Sequence, residues 1–153
     1  MLDKNLVMTD LSFESAEQAI RFGAQQMLQC GYVKEGYADA VVEREKEFPT
    51  GLPTQPCGVA IPHTNSSLAN TNALCFMKLK KAVRFRQMGD DEAFVEARCI
   101  VLLAVAGGEG HMDLLAGLME LFSDEALLAE ILRAATADEI AAILKKSGSL
   151  TTA

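Results

Sequence analysis

Residues 99–106 read Cys-Ile-Val-Leu-Leu-Ala-Val-Ala, and they end a longer apolar segment that begins at Val95. An apolar run of this length is typical of a central β-strand that is covered on both faces. The sequence Gly107-Gly108-Glu109-Gly110 follows it, and such a glycine-rich stretch favours a turn over continuation of the strand. The sequence therefore predicts a sheet in which residues 95–106 form a buried central strand.

Shorter patterns on both sides of this run predict the other elements. Strands are predicted at residues 57–61, 73–79 and 83–86, and the last two are expected to pair with each other. The first predicted helix begins at a cap at Ser15 and ends at Cys30. Further helices are predicted at residues 35–48, 111–122, 124–134 and 137–146. Ser15 with Gln18 and Thr136 with Glu139 fit capping boxes, and Ser123 is expected to cap the helix over 124–134.

The order of these elements is α-α-β-β-β-β-α-α-α. It predicts a mixed sheet flanked by helices, in the α/β or the α+β class, and the pattern alone leaves that choice open. No long linker or repeat interrupts the sequence, so residues 1–153 are expected to form a single domain with a frayed tail from about residue 147.

Composition and charge narrow the class of protein. Of the 153 residues, 50% are hydrophobic and 23% are charged, which is an ordinary globular balance. The net charge of −7 argues against nucleic acid as a partner, because such a field repels phosphate backbones. No apolar run approaches the roughly 20 residues that cross a bilayer, and the first residues lack a signal-peptide pattern. We therefore expect a cytoplasmic protein without direct membrane insertion.

The cysteines fit the same compartment. Cys30, Cys57, Cys75 and Cys99 have no CxxC spacing, and two of the four lie inside apolar runs. They are predicted to be buried, reduced thiols rather than a disulfide framework. With two histidines and no paired-thiol spacing, no metal site is expected.

Both histidines fall at breaks between predicted elements, where functional residues are common. Pro62 restricts the backbone just before His63. His111 follows the glycine-rich turn at the predicted start of a helix, where free backbone N–H groups favour anions. If the loops after the strands at 57–61 and 95–106 open on the same sheet edge, the two rings can meet across one anion-sized hole.

A neutral imidazole is a competent nucleophile toward a phosphoryl group near neutral pH. The transfer needs donors for the phosphoryl oxygens. Such donors lie near the two breaks: the Thr64 hydroxyl, the amides around Gly110 and His111, and the Arg44 guanidinium. These residues are the candidate phosphate-binding groups.

Each of these residues also has a plainer interpretation. His63 can be a hydrogen-bonded loop residue, and Arg44 lies in a run of charges at 43–47 that is typical of a solvated helix face. The basic segment at 78–86 is either a docking patch for an acidic partner or a set of solubilising charges on a strand edge. No nucleophile elbow, phosphate-binding loop, HExxH or GxGxxG motif is present in the sequence.

Three segments carry a resemblance to a known family: Glu43-Arg44-Glu45-Lys46, Gly58-Val59-Ala60-Ile61-Pro62-His63-Thr64 and Gly110-His111-Met112-Asp113-Leu114-Leu115. The chain resembles the type-2 enzyme IIA domains (the fructose–mannitol class) of the bacterial phosphoenolpyruvate-dependent sugar phosphotransferase system. The similarity runs from the first helix to Ile143, and the Gly-Val-Ala-Ile-Pro-His block is its most specific part. The stretches at 48–53 and 83–89 look closest to the galactitol branch.

The resemblance implies a mixed sheet with flanking helices and a phosphocarrier histidine at His63. In the family, that histidine takes a phosphoryl group on Nε2 from the histidine phosphocarrier protein and passes it to a cysteine of the cognate IIB component, while the membrane IIC component moves the sugar. His111 and Arg44 match the family's phosphate-stabilising histidine and arginine, and no cofactor is implied. Many relatives place an acidic residue soon after the histidine, but none occurs here before Glu92. What orients the second nitrogen of His63 is therefore left open.

Two other functions fit the same sequence. One is a regulatory module of the same fold whose phosphorylation state controls a partner, as in nitrogen-regulatory IIA proteins, without any coupling to transport. The other is a small-molecule-binding domain in which the histidines are structural. Neighbouring IIB and IIC genes would favour transport, and failure to accept phosphate would favour the binding domain.

Overall fold

The computed structural model of the chain describes residues 2–107 and 111–146. Its strands are β1 (Leu2–Leu11), β2 (Gly51–Leu52), β3 (Gly58–Ala60), β4 (Ala73–Gln87) and β5 (Asp90–Ala104). Its helices are α1 (Ala16–Gln29), α2 (Tyr37–Glu47), α3 (His111–Phe122), α4 (Glu125–Arg133) and α5 (Ala137–Lys146), with a short 3-10 helix at Ser66–Leu68. The predicted tail from about residue 147 lies outside the described residues.

The strands form a mixed sheet in the order β1-β4-β2-β3-β5, and β4 also pairs directly with β5. β1 is parallel to β4 and β3 is parallel to β5, whereas β2 with β3 and β4 with β5 are antiparallel. Helices cover the sheet on both sides. This architecture confirms the predicted mixed sheet flanked by helices.

Alternate residues of β5 face two hydrophobic cores on opposite sides of the sheet. Ile100 and Leu102 pack with α1 and α2, whereas Val101 and Leu103 pack with α3, α4 and α5. All of them are at most 1% exposed, and each such side chain contributes roughly 1.5–3 kcal/mol to folding by its burial. The prediction of a central strand covered on both faces is confirmed, with its end at Ala104 rather than Ala106.

The N-terminal strand β1 was missing from the predicted order. Its sequence contains Asp3, Lys4 and Asn5 in succession, which breaks the apolar alternation by which a strand is recognised. The strand lies at the end of the sheet order, where polar side chains reach solvent. Only Leu6 and Val7 are buried in it, and they enter the two different cores.

The predicted strand pair at 73–79 and 83–86 is wrong, because both segments belong to the single strand β4. The partner of β4 along this length is β5, and the register shifts between Lys78 and Val83. Arg98 donates from Nε and Nη2 to the carbonyl oxygen of Leu79, at 3.1 and 2.9 Å. This irregularity accommodates the polar residues that made the sequence look like two strands and a turn.

The predicted caps are confirmed at two helices and wrong at a third. The hydroxyls of Ser15 and Thr136 accept hydrogen bonds from the amides of Gln18 and Glu139. Asp124, rather than Ser123, caps α4, because its Oδ1 accepts from Leu127 N at 3.1 Å. The Ser123 hydroxyl donates instead to Glu120 O at the end of α3.

The cysteines are free thiols in different surroundings. Cys75 and Cys99 are buried in the sheet, Cys57 is partly buried and Cys30 is exposed. Burial raises the pKa of Cys75 to about 12, so that this thiol stays protonated. The prediction of buried thiols therefore holds for the two that lie in apolar runs and fails for Cys30. Among the described residues, no helix combines the length and the apolar character that spanning a bilayer requires.

Lys78 is buried, although it lies in the basic segment at 78–86. Its Nζ donates to three carbonyl oxygens where α4 ends, those of Ile131 at 3.3 Å, Leu132 at 3.2 Å and Ala134 at 2.5 Å. A cation at this position satisfies carbonyls that have no partner within the helix and complements the helix dipole. Arg86 likewise donates from Nη2 to Lys46 O at the end of α2. Two cations of the segment therefore stabilise helix ends of their own chain.

We expect Lys78→Met to lower the free energy of unfolding by about 1–3 kcal/mol, because the substitution keeps the volume but removes the donor for the buried carbonyls. Urea unfolding followed by circular dichroism measures the change. Lys80→Met is the matched control, because Lys80 lies exposed on the same strand, and it should change stability by less than about 0.5 kcal/mol. Equal effects of the two substitutions would contradict the capping role.

Candidate functional site

His63 lies beside the carboxyl end of β5. It follows β3 by three residues and forms a parallel bridge with Leu103. The amide of Leu103 donates to Pro62 O at 3.2 Å. The pairing of β3 with β5 is thus extended as far as the histidine, which fixes its backbone at the edge of the sheet.

The ring of His63 has a defined tautomer. Its Nδ1 lies 2.8 Å from the carbonyl oxygen of Ile61. Because a carbonyl oxygen only accepts hydrogen bonds, Nδ1 carries the proton, and the lone pair of the neutral ring lies on Nε2. This main-chain carbonyl orients the second nitrogen, a point that the sequence had left open. The residue is 8% exposed.

Two further residues adjoin His63 at this edge. Thr64 is 8% exposed and follows His63 directly. Tyr37, the first residue of α2, donates from its hydroxyl to Leu103 O at 2.7 Å. Burial raises the pKa of Tyr37 well above its ordinary value, so the hydroxyl remains a donor. Tyr37 was not among the predicted site residues, although a phenol on the apolar face of a helix indicates a buried O–H that needs a partner.

The two loops expected to share a sheet edge do so. β3 and β5 are parallel neighbours, so their carboxyl ends meet at the same edge. The chain that leaves β5 leads to α3, and His111 is the first residue of that helix, as predicted. The side chain of His111 and the residue Gly110 lie outside the described part of the structure.

Arg44 contacts an aromatic ring at the end of its own helix. It lies exposed on α2, one turn before the end of that helix. Its guanidinium carbon is 4.8 Å from the centroid of the Phe48 ring, a cation–π contact, and Phe48 is itself 56% exposed. The structure thus brings His63 and Thr64 together at the sheet edge and places Arg44 against Phe48 on the outside of α2.

Glu45 is partly buried, although the charge run that contains it predicted a solvated face. Its Oε2 accepts from Thr50 N at 2.9 Å and its Oε1 from the Thr50 hydroxyl at 2.7 Å. Burial raises the pKa of Glu45 to about 7, while the hydrogen bonds from Thr50 and the charge of Arg86 act in the opposite direction. Glu45 was not predicted as a site residue, because it lies in a run of charges at 43–47 that is typical of a solvated helix face.

Gly58 allows β3 to approach β5 closely. A Cβ atom at this position would lie 2.3 Å from Val95 Cγ1 and 2.7 Å from Glu96 O. Neither distance is compatible with a side chain unless the strands separate. Glycine is therefore required where the strand leading to His63 begins.

The fold is similar to that of solved enzyme IIA structures. The crystal structure of mannitol enzyme IIA from Escherichia coli matches with a TM-score of 0.75 and 26% identity, covering 92% of this chain and 96% of that chain. Mannitol enzyme IIA from the same organism, solved in complex with phosphorylated enzyme IIB, matches with a TM-score of 0.78 and 24% identity, covering 95% and 99% of the two chains. The class of protein is thus an enzyme IIA domain.

The family follows from the sequence comparison. The sequence model described as "Phosphoenolpyruvate-dependent sugar phosphotransferase system, EIIA 2" matches residues 1–147. This chain belongs to that family, which confirms the resemblance found in the three segments. The galactitol-specific EIIA component of Escherichia coli is 28% identical to it over 109 residues, which cover 71% of this chain and 72% of that relative.

Glu45 gives stability a defined pH dependence. Since its pKa is raised from 4.5 to about 7 on folding, the folded state binds more protons than the unfolded state between these values, and stability falls as the pH rises through this window. We expect Glu45→Gln, which stays neutral, to gain on the order of 1–3 kcal/mol relative to the parent protein between pH 4.5 and pH 8. Urea unfolding at a series of pH values measures this difference.

The control for this prediction is Glu47→Gln, because Glu47 lies exposed on the same helix. This substitution also replaces a carboxyl group by an amide, but at an exposed position. Its stability difference from the parent protein should stay nearly constant over the same pH range. A constant difference for Glu45→Gln as well would show that the carboxyl group at 45 is not perturbed by folding.

Proposed function

We propose that this chain is the phosphocarrier of a sugar phosphotransferase system and carries the phosphoryl group on Nε2 of His63. The observation that supports this assignment is the hydrogen bond from Nδ1 to Ile61 O, at 2.8 Å. It places the ring in the tautomer whose lone pair is on Nε2. Membership of the EIIA 2 family supports the phosphocarrier role itself.

The transfer is a displacement at phosphorus. The Nε2 lone pair forms a bond to the phosphorus atom as the P–N bond to the phosphohistidine of the donor protein breaks, and the donor ring keeps the electron pair. During this step the His63 ring gains positive charge, which the bond from Nδ1–H to Ile61 O stabilises. Attack by the thiolate of a IIB cysteine then breaks the Nε2–P bond and returns His63 to its neutral form.

The remaining candidates stabilise the oxygens of the phosphoryl group. His111 and the amide of Gly110 act from the start of α3, Thr64 acts from beside His63, and Arg44 supplies a permanent positive charge. To act there, the Arg44 side chain leaves the ring of Phe48. A cation–π contact at an exposed site is worth only about 0.5–1 kcal/mol, whereas hydrogen bonds to charged groups are worth about 1.5–3 kcal/mol, so the exchange is favourable.

The partners follow from the same proposal. The donor is the histidine phosphocarrier protein, and the acceptor is the cognate IIB component, in keeping with the solved complex of mannitol enzyme IIA with phosphorylated IIB. The membrane IIC component takes part only indirectly, and the carrier works in the cytoplasm without a metal or a cofactor. The galactitol-specific relative supports a polyol such as galactitol as the substrate, and transport rather than regulation as the role.

Phosphoenolpyruvate together with the two general phosphotransfer proteins should add one phosphoryl group to the parent chain, because Nε2 of His63 accepts it. Intact-protein mass spectrometry measures the 80 Da increase that one such group adds, and the label should be acid-labile. His63→Gln should not be labelled, because its amide nitrogen is not a nucleophile. Full labelling of His63→Gln would reject His63 as the acceptor.

His111→Ala and Arg44→Gln should still accept the phosphoryl group but pass it to IIB more slowly, by about 100-fold each. The physical reason is that each substitution removes a donor to the transferred group, not the nucleophile. Quenched-flow measurement of onward transfer gives the rates. Arg21→Gln is the matched control, because Arg21 is an exposed arginine that pairs with Glu17 and Asp39 on the protein surface. Normal rates in both site variants would remove their proposed roles.

A further inference from the structure

Glu45 and Thr50 form a hydrogen-bonded path that ends at Ile61, the residue whose carbonyl oxygen accepts from the His63 ring. We propose that Glu45 is a positioning residue: through Thr50 it fixes the peptide of Ile61, and the Ile61 carbonyl in turn fixes the tautomer and orientation of the His63 ring. The kinetic part of this inference rests on the proposed phosphocarrier function. The part that concerns the tautomer does not.

The first half of the path joins α2 to the segment before β2. The Glu45 carboxylate accepts from both the amide and the hydroxyl of Thr50, at 2.9 and 2.7 Å. A carboxylate that receives two donors from one residue fixes both the backbone and the side chain of that residue. Thr50 is 4% exposed, so water does not readily replace these bonds.

The second half of the path joins Thr50 to the histidine. The carbonyl oxygen of Thr50 accepts from Ile61 N at 3.4 Å, next to the antiparallel pair of Gly51 with Ala60. The carbonyl oxygen of Ile61 accepts from His63 Nδ1 at 2.8 Å. The N–H of Ile61 thus donates to Thr50, and the carbonyl oxygen of the same residue orients the His63 ring.

The surroundings of Glu45 indicate that its carboxylate has a specific role. It lies at a cleft whose other charged residues are Glu17 on α1, Lys46 on α2, and Arg84 and Arg86 on β4. Of these, Arg86 has its Nη2 on Lys46 O and Arg84 pairs with Glu96. Burying a carboxylate costs free energy, and the two hydrogen bonds from Thr50 offset part of that cost.

The chemical consequence concerns the proton on the ring. If the Ile61 carbonyl moves away, the neutral ring can carry its proton on Nε2 instead, and in that form Nε2 has no lone pair for attack on phosphorus. Loss of the path therefore lowers the reactive fraction and misaligns the ring. We expect the maximal rate of phosphoryl acceptance to fall by about tenfold or more, because small misplacements of a nucleophile have effects of this size. The KM for the donor protein should not change.

Nitrogen NMR of the full chain, labelled with ¹⁵N in its histidines, tests the proposal. The parent protein should show His63 in the Nδ1–H tautomer. Glu45→Ala and Thr50→Val should show a mixture of tautomers, and the conservative variants Glu45→Gln and Thr50→Ser should restore the parent state in large part. Glu47→Ala is the control on the same helix.

The rate of phosphoryl acceptance is measured on the same variants. Each variant is first shown to be folded by circular dichroism, and Thr50→Val provides the same test if Glu45→Ala does not fold. An unchanged tautomer in folded Glu45→Ala or Thr50→Val would overturn the proposal, and so would a shifted tautomer with an unchanged rate. Failure of the parent protein to accept phosphate would instead reject the proposed function, and the tautomer measurement would still decide whether Glu45 positions His63.

Discussion

The parallel pairing of β3 with β5 is the constraint on which the site depends. It brings the carboxyl ends of the two strands to one edge of the sheet, and it continues as far as the bridge of His63 with Leu103. The pairing in turn requires a glycine at position 58, because any side chain there would meet Val95 and the backbone of Glu96. The place of the histidine is therefore set by close contact between strands.

Burial on both sides of the sheet fixes the register of β5 at this edge. Neighbouring residues of β5 enter separate cores, so a shift of the strand by one residue would exchange the two sets of side chains. Tyr37, at the start of α2, donates to Leu103 at this edge. Near the other end of α2, Glu45 binds Thr50, which in turn accepts from Ile61 N. Two points on one helix thus hold the sheet edge at which His63 lies.

The sequence predicts those parts of the fold that depend on local patterns. Helix bounds, the central strand and the two histidines at element ends follow from apolar periodicity, caps and breakers. β1 was missed because polar residues interrupt its pattern, and β4 was divided because its irregularity resembles a turn. Both depend on the partner strand, which periodicity does not reveal. Glu45 and Tyr37 were missed for a related reason, since their roles come from tertiary contacts with Thr50 and Leu103.

The group that orients the His63 ring belongs to the main chain. A substitution at Ile61 changes the side chain but leaves the carbonyl oxygen in place, so no single point mutation at that residue deletes the acceptor. The core at position 61 can therefore accept a different apolar side chain while the same main-chain atom continues to accept from His63 Nδ1.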